Sequence, residues 1–214
     1  MNLIRRHWYN IGLIVAILCI VLLPFIWESM SFLQIVLLLN FIVIFIHQFE
    51  EYGLPGGEPT IMNTVLQQSP TPDRYPLNQN SAMVTNVVTA YLFYLLPVFF
   101  PNIVWLGLAP IIFGVMQFLV HGIITPPKIG RFYNPGLGAV IFGQIPLAII
   151  YIYYIHAYGF VAWYDWLFAI IYTILFAKII VANMTYKWLA DQNSPYRFDP
   201  AEMERFKKYI KSNN

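Results

Sequence analysis

The chain has 214 residues, of which 59% are apolar and only 10% charged, with a net charge of +2. A soluble domain of this length carries about 25% charged residues, so a soluble globular protein is excluded. With one cysteine, Cys19, a disulfide framework and a cysteine-based metal site are excluded too. No basic stripe lies outside the tail, which removes nucleic acid as a partner.

Six apolar runs are long enough to cross a bilayer, which takes about 18 residues or more. In chain order they cover about 9–27, 32–51, 82–100, 103–124, 135–156 and 161–186. The first follows Arg5-Arg6, but it is too long for a signal peptide and no small-residue cleavage site follows it, so it reads as an uncleaved anchor. The spacing predicts an all-α, polytopic membrane bundle over residues 1–190 with a tail over 191–214. The Lys/Arg placement orients it. Arg5, Arg6, Arg74, Lys128, Arg131, Lys187, Arg197, Arg205, Lys207, Lys208 and Lys211 all fall on one side if both termini are cytoplasmic, and Lys178 lies in the inner half of the last span. That is the positive-inside pattern of a multi-pass cell-membrane protein.

The outer connections are a few residues long, so the spans pair as helical hairpins. The inner segment 53–80 is longer and rich in Pro, Gly and polar residues, which suits either a lid or a disordered loop. In the tail, Asp199, Pro200 and Glu202 suit the N-cap, first and third positions of a helix. Met203, Phe206 and Ile210 would then share one face, ringed by Lys207, Lys208 and Lys211. Such a segment is either a short amphipathic helix on an anionic leaflet or a frayed tail.

The chemistry concentrates at the end of the second span, LQIVLLLNFIVIFIHQFEE. Ionised side chains at bilayer depth cost roughly 2.5–3.5 kcal/mol each on insertion scales, and such residues mark functional sites by default. His47 and Glu51 are four apart and share a helix face; Glu50 flanks it, and Asn40 lies two turns up. Two ligands at i and i+4 with a glutamate between them is a zinc-site spacing, with Glu50 placed as general base. A set of His, His and Glu is an accepted catalytic zinc shell. Topology selects the third ligand. His121 lies near the inner end of the fourth span, at the depth of His47, whereas His156 is at the opposite face and His7 is on the N-terminal segment. Gln117, one turn before His121, is placed to orient it.

The fifth span begins on the same face with Tyr133-Asn134-Pro135-Gly136. Asn134 suits an N-cap and Pro135 the first helical position, and the exposed N–H groups of that turn favour an anion. Gly136 allows close approach, and Tyr133 offers a phenol. The plainer reading is an interfacial aromatic beside an ordinary helix start.

His47-Gln48-Phe49-Glu50-Glu51, a later histidine and Tyr133-Asn134-Pro135-Gly136 together resemble the HXXEE-domain family of mainly bacterial integral membrane proteins. His121 matches the family's further histidine by order, and residues 133–136 match its Y-x-P-G motif. The resemblance spans about residues 40–155 and implies the membrane fold and these site residues. It brings no activity, because the family is uncharacterised.

The expected function is a divalent-metal hydrolase, zinc by preference, acting on a lipid or other apolar substrate among membrane lipids. His47, Glu51 and His121 bind the metal and Glu50 and Tyr133 serve catalysis. Asn40, Gln117, Asn134 and Gly136 contact substrate. A di-iron centre fits less well, since it needs about four carboxylates and Glu58 is the only spare. A proton-coupled carrier using the same His/Glu cluster and a scaffold or partner-binding subunit stand as the alternatives.

Overall fold

A computed structural model describes residues 2–207. It is all-helical. Six helices long and apolar enough to cross a membrane run Asn2–Ser29, Phe32–Tyr52, Gln79–Phe99, Val104–Ile129, Leu137–Ala157 and Trp163–Trp188. These are the six spans expected from sequence, with ends moved by a few residues. The first starts earliest relative to expectation: it continues back to Asn2 across a kink at His7 (φ −126°, ψ 15°).

Local chemistry sets the ends. Ser31 and Gln34 cap the second helix reciprocally, each side chain bonding the other's backbone N–H. Asn78 and Ser81 do the same for the third. Four of the six spanning helices widen into π turns, over Thr89–Leu95, Leu119–Ile124, Val140–Gln144 and Ala177–Trp188. In the first three a proline follows two residues later, Pro97, Pro126 and Pro146, whereas none follows the fourth so closely. A proline ring clashes with the carbonyl four residues back and offers no N–H. A wider turn relieves that clash, and such turns recur at functional sites. His121 lies inside the second of them.

The second helix is the hub. Two-thirds (67%) of its apolar window is buried, against 11% for the first helix and 17% for the sixth. It packs on the first, third and fifth helices, while the fourth packs on the fifth and sixth. Close approach is bought by small residues: a Cβ at Gly143 would stand 2.6 Å from Val43 Cγ1. Phe25, Phe99, Phe142, Ile14 and Ile174 stay exposed, a larger apolar surface than a soluble protein tolerates and one that a bilayer covers.

The loop 53–78 is folded, with a helical stretch over 58–66. Its keystone is Asn63, fully buried: the side-chain amide donates to the carbonyls of Pro72 and Leu77 (2.8 Å each), and Oδ1 accepts from Leu77 N–H (3.0 Å). The tail returns along the same end of the bundle. Gln79 N–H donates to Tyr196 O, Phe198 N–H to Asp73 O, and Arg6 pairs with Asp199 at 3.2 Å.

The tail helix begins as expected, with Asp199 N–H donating to Glu202 Oε2 (2.7 Å), but it covers only Pro200–Glu204. Arg205 is extended and Phe206 takes a left-handed φ of +65°. Phe206 therefore leaves the helical face shared with Met203 and buries its ring against Ile61 and Ile129. A buried aromatic outweighs one more turn of exposed helix. Lys208, Ile210 and Lys211 lie outside the described residues.

Replacing Asn63 with Leu would strand three buried backbone groups. We expect Asn63→Leu to cost about 2–4 kcal/mol and to make 67–78 protease-sensitive, read by thermal unfolding and limited proteolysis in detergent.

Candidate metal-binding site

His47 and Glu51 lie one turn apart on the second helix and meet His121 from the fourth. Glu51 Oε1 is 3.3 Å from His47 Nε2 and 3.4 Å from His121 Nε2. The imidazoles stand perpendicular, with centroids 5.0 Å apart. One ligand atom from each residue falls within 4.8 Å of the others, and all three residues are buried. The group could hold a metal ion: a tetrahedral centre with ~2.1 Å bonds separates its ligand atoms by about 3.4 Å.

Hydrogen bonding fixes which imidazole nitrogen faces this point. His47 Nδ1 is 3.1 Å from the Gly136 carbonyl, which can only accept, so Nδ1 carries the proton. His121 Nδ1 is 2.7 Å from Asn134 Oδ1, while Asn134 Nδ2 donates to the His121 carbonyl at 2.6 Å. That orients the amide and makes His121 Nδ1 a donor as well. Both Nε2 atoms therefore turn inward. His47 Nε2 is buried and forms no hydrogen bond. Two neutral imidazole lone pairs would thus face a carboxylate oxygen with no donor among the three. Only a cation, whether a metal ion or added protons, makes that meeting favourable.

The turn before the fifth helix builds this geometry, though not in the expected way. The helix starts at Leu137, with Gly136 before it. Asn134 is fully buried and spends its side chain on His121, in place of capping. It takes the orienting role expected of Gln117, which lines the adjoining cavity. Gly136 has φ +97°, and a Cβ there would lie 2.7 Å from His47 Cε1 and 2.8 Å from His121 Cε1. Glycine is required twice over, by its backbone and by the two rings.

Glu50 is directed away from the ligand point. Its carboxylate accepts from Gly138 N–H (3.0 Å), Ala139 N–H (2.8 Å) and the Tyr133 hydroxyl (2.8 Å). The anion site expected at this helix start is filled by the chain's own carboxylate. Burial, with Glu50 beside it, pushes the Tyr133 phenol up, which keeps it a hydrogen-bond donor.

Beside the triad is a cavity of about 280 Å³. Tyr52, Gln117, Thr185 and Tyr186 line it with His47, Glu51 and His121. So does Glu58, which reaches in from the loop helix and is itself buried. Burial, reinforced by Glu51 and opposed by His121, pushes the Glu58 carboxyl up to about 8. In sequence Glu58 is only a spare carboxylate, since nothing local says where the loop places it. Asn40 is buried two turns from His47 with its amide nitrogen unpartnered. His156 packs near Trp166, away from the site.

A family model described as a protein of unknown function with HXXEE motif matches residues 38–151, more than half of the chain. No curated protein and no solved structure matches.

Gly136→Ala is expected to destabilise the protein by about 2–4 kcal/mol, combining a left-handed backbone with overpacking. Gly159→Ala, at φ +67° but with open space around it, should cost about 1–2 kcal/mol, from the backbone alone. Chemical denaturation in one detergent compares the two.

Proposed function

The chain belongs to the HXXEE family of proteins of unknown function, and from that premise we propose a membrane-embedded, metal-dependent hydrolase acting on a lipid or other apolar substrate. The observation that carries this reading is the pair of inward Nε2 atoms facing Glu51, each with its Nδ1 proton already committed. Committing the outer nitrogen is how proteins prepare histidines for a metal.

His47, Glu51 and His121 would hold the ion, zinc by preference. When bound, a divalent ion there supplies Lewis acidity and an activated water. Asn134 and the Gly136 carbonyl orient the imidazoles. Glu50 and Tyr133 pin the start of the fifth helix, so that the Gly136 carbonyl stays on His47. The three residues line the cavity, whose walls also combine Ile44, Phe113 and Val181 with Gln117 and Thr185. A volume of 280 Å³ admits the polar end of a lipid-like molecule while its chains stay in the bilayer. By the Lys/Arg asymmetry, this end of the bundle is cytoplasmic.

One further observation favours a second reading, a proton-coupled carrier. Asn40, Tyr94 and Gln144 are buried in the apolar interior with unpartnered polar atoms, and polar groups at that depth often line ion paths. Proton flux into liposomes that persists without metal and stops in His47→Ala would favour the carrier.

Purified protein is expected to bind one zinc ion per chain, with His47→Ala and His121→Ala abolishing binding. Asn134→Ala should keep the stoichiometry and weaken affinity about 10–100-fold. Calorimetry and elemental analysis read both. Undiminished affinity in Asn134→Ala, or no metal in wild type, rejects the hydrolase reading.

A further inference from the structure

The cavity beside the triad is walled on one side by chain that is not part of the six-helix bundle. Glu58 opens the loop helix and lines the cavity. The tail braces the Glu58 loop there, alongside Asn63 and the bonds of Gly53, Leu54 and Gly56 to the second helix. Thr60 Oγ1 donates to the Met203 carbonyl at 2.7 Å. Arg205 Nη1 donates to the carbonyls of Tyr52 (2.7 Å) and Gly53 (3.0 Å). Those carbonyls close the helix that carries His47 and Glu51, and a guanidinium suits a helix C-terminus. Phe206 packs its ring on Ile61 and Ile129. The fit at this point is tight: Gly57 stands at φ +118°, and a Cβ there would lie 2.6 Å from Phe206 Cβ.

We propose that residues 203–206 are a latch, which holds the 53–66 loop shut over the cavity and presents Glu58 to the His47–Glu51–His121 group. When the latch lets go, Glu58 withdraws and the cavity opens toward the loop-bearing end. Three features make this a local event. The latch consists of few contacts, so its release breaks no part of the helical bundle. Phe206 holds a left-handed φ of +65°, a conformation that bulky side chains avoid and that persists only while its contacts compensate. The orienting bonds of the triad, from Gly136 and Asn134, involve neither loop nor tail, so the site survives opening. Polar reactants then enter from this end while an apolar substrate arrives from the bilayer. The role given to Glu58 beside a metal rests on the hydrolase reading; the latch itself does not.

The test uses the full chain in detergent with Cys19→Ser, which leaves Glu58→Cys as the single thiol. Maleimide labelling of that thiol should be slow. Adding Arg205→Ala and Phe206→Ala, which removes two charge-assisted hydrogen bonds and a buried ring from the closed state, should speed it by about tenfold or more. An exposed control, Thr64→Cys, should label at one rate in both backgrounds. Equal Glu58→Cys rates with and without the latch substitutions overturn the proposal. If the double variant does not fold, Thr60→Val takes its place, with a smaller acceleration expected and an unchanged rate again overturning it. A separate arm follows zinc ion removal by a chelator, expected faster in the latch variant at unchanged equilibrium affinity. Wild type that binds no zinc defeats the hydrolase reading and leaves the labelling result to judge the latch alone.

Discussion

Two imidazole N–H groups are buried in an apolar bundle, and one short turn supplies acceptors for both. The Gly136 carbonyl takes the proton of His47 Nδ1, and Asn134 Oδ1 takes that of His121. Because those protons are committed outward, the Nε2 atoms turn inward onto Glu51, and the three helices that meet there are tied at one depth. Unpaired, each donor would cost about 1–3 kcal/mol. The turn is therefore both the structural joint between the second, fourth and fifth helices and the device that sets the chemistry of the site. Gly136 shows how little freedom remains: its left-handed backbone and the two rings against its Cα leave no room for a side chain.

The adjacent glutamates of the motif do opposite work. Glu51 faces inward and is shared by both histidines. Glu50, one residue earlier and so about 100° around the helix, reaches the start of the fifth helix and takes two backbone N–H groups and a phenol. A helix start attracts an anion, and here that anion is intramolecular, which locks the turn against the second helix. The H-x-x-E-E, histidine and Y-x-P-G segments are in this way parts of one construction. Its inner face is a buried His/Glu/His group that could hold a metal ion, and its outer face is the bracket that holds that group in register.

The prolines belong to the same account. Each of three helices widens just before a proline, and the widened turn of the fourth carries His121. A regular helix would carry His121 at the same height but not on the same bearing, because a π turn changes the angle between successive side chains. Backbone irregularity that would be a defect in a plain anchor here aims a side chain.

How far the site could be read without coordinates follows from the range of each signal. Hydrophobic run length is local and additive, so it determined six spans and which polar residues within them lie near the same end of the bundle. The i, i+4 spacing put His47 and Glu51 on one face, and equal depth selected His121 over His156. Direction around a helix and the path of a loop depend on what packs against them. Only tertiary structure could therefore decide that Asn134 rather than Gln117 orients His121, or that Glu50 turns away. The same holds for Glu58, which arrives from a loop ordered by Asn63 and the tail, and for Phe206, which leaves the tail helix because two buried isoleucines offer its ring a better place than water. Sequence by itself determined which residues of the six spans share a level along the bundle, since the length of each apolar run fixes where its helix begins and ends. Tertiary structure decided which of them face one another, since that depends on hydrogen-bond partners far apart in the chain.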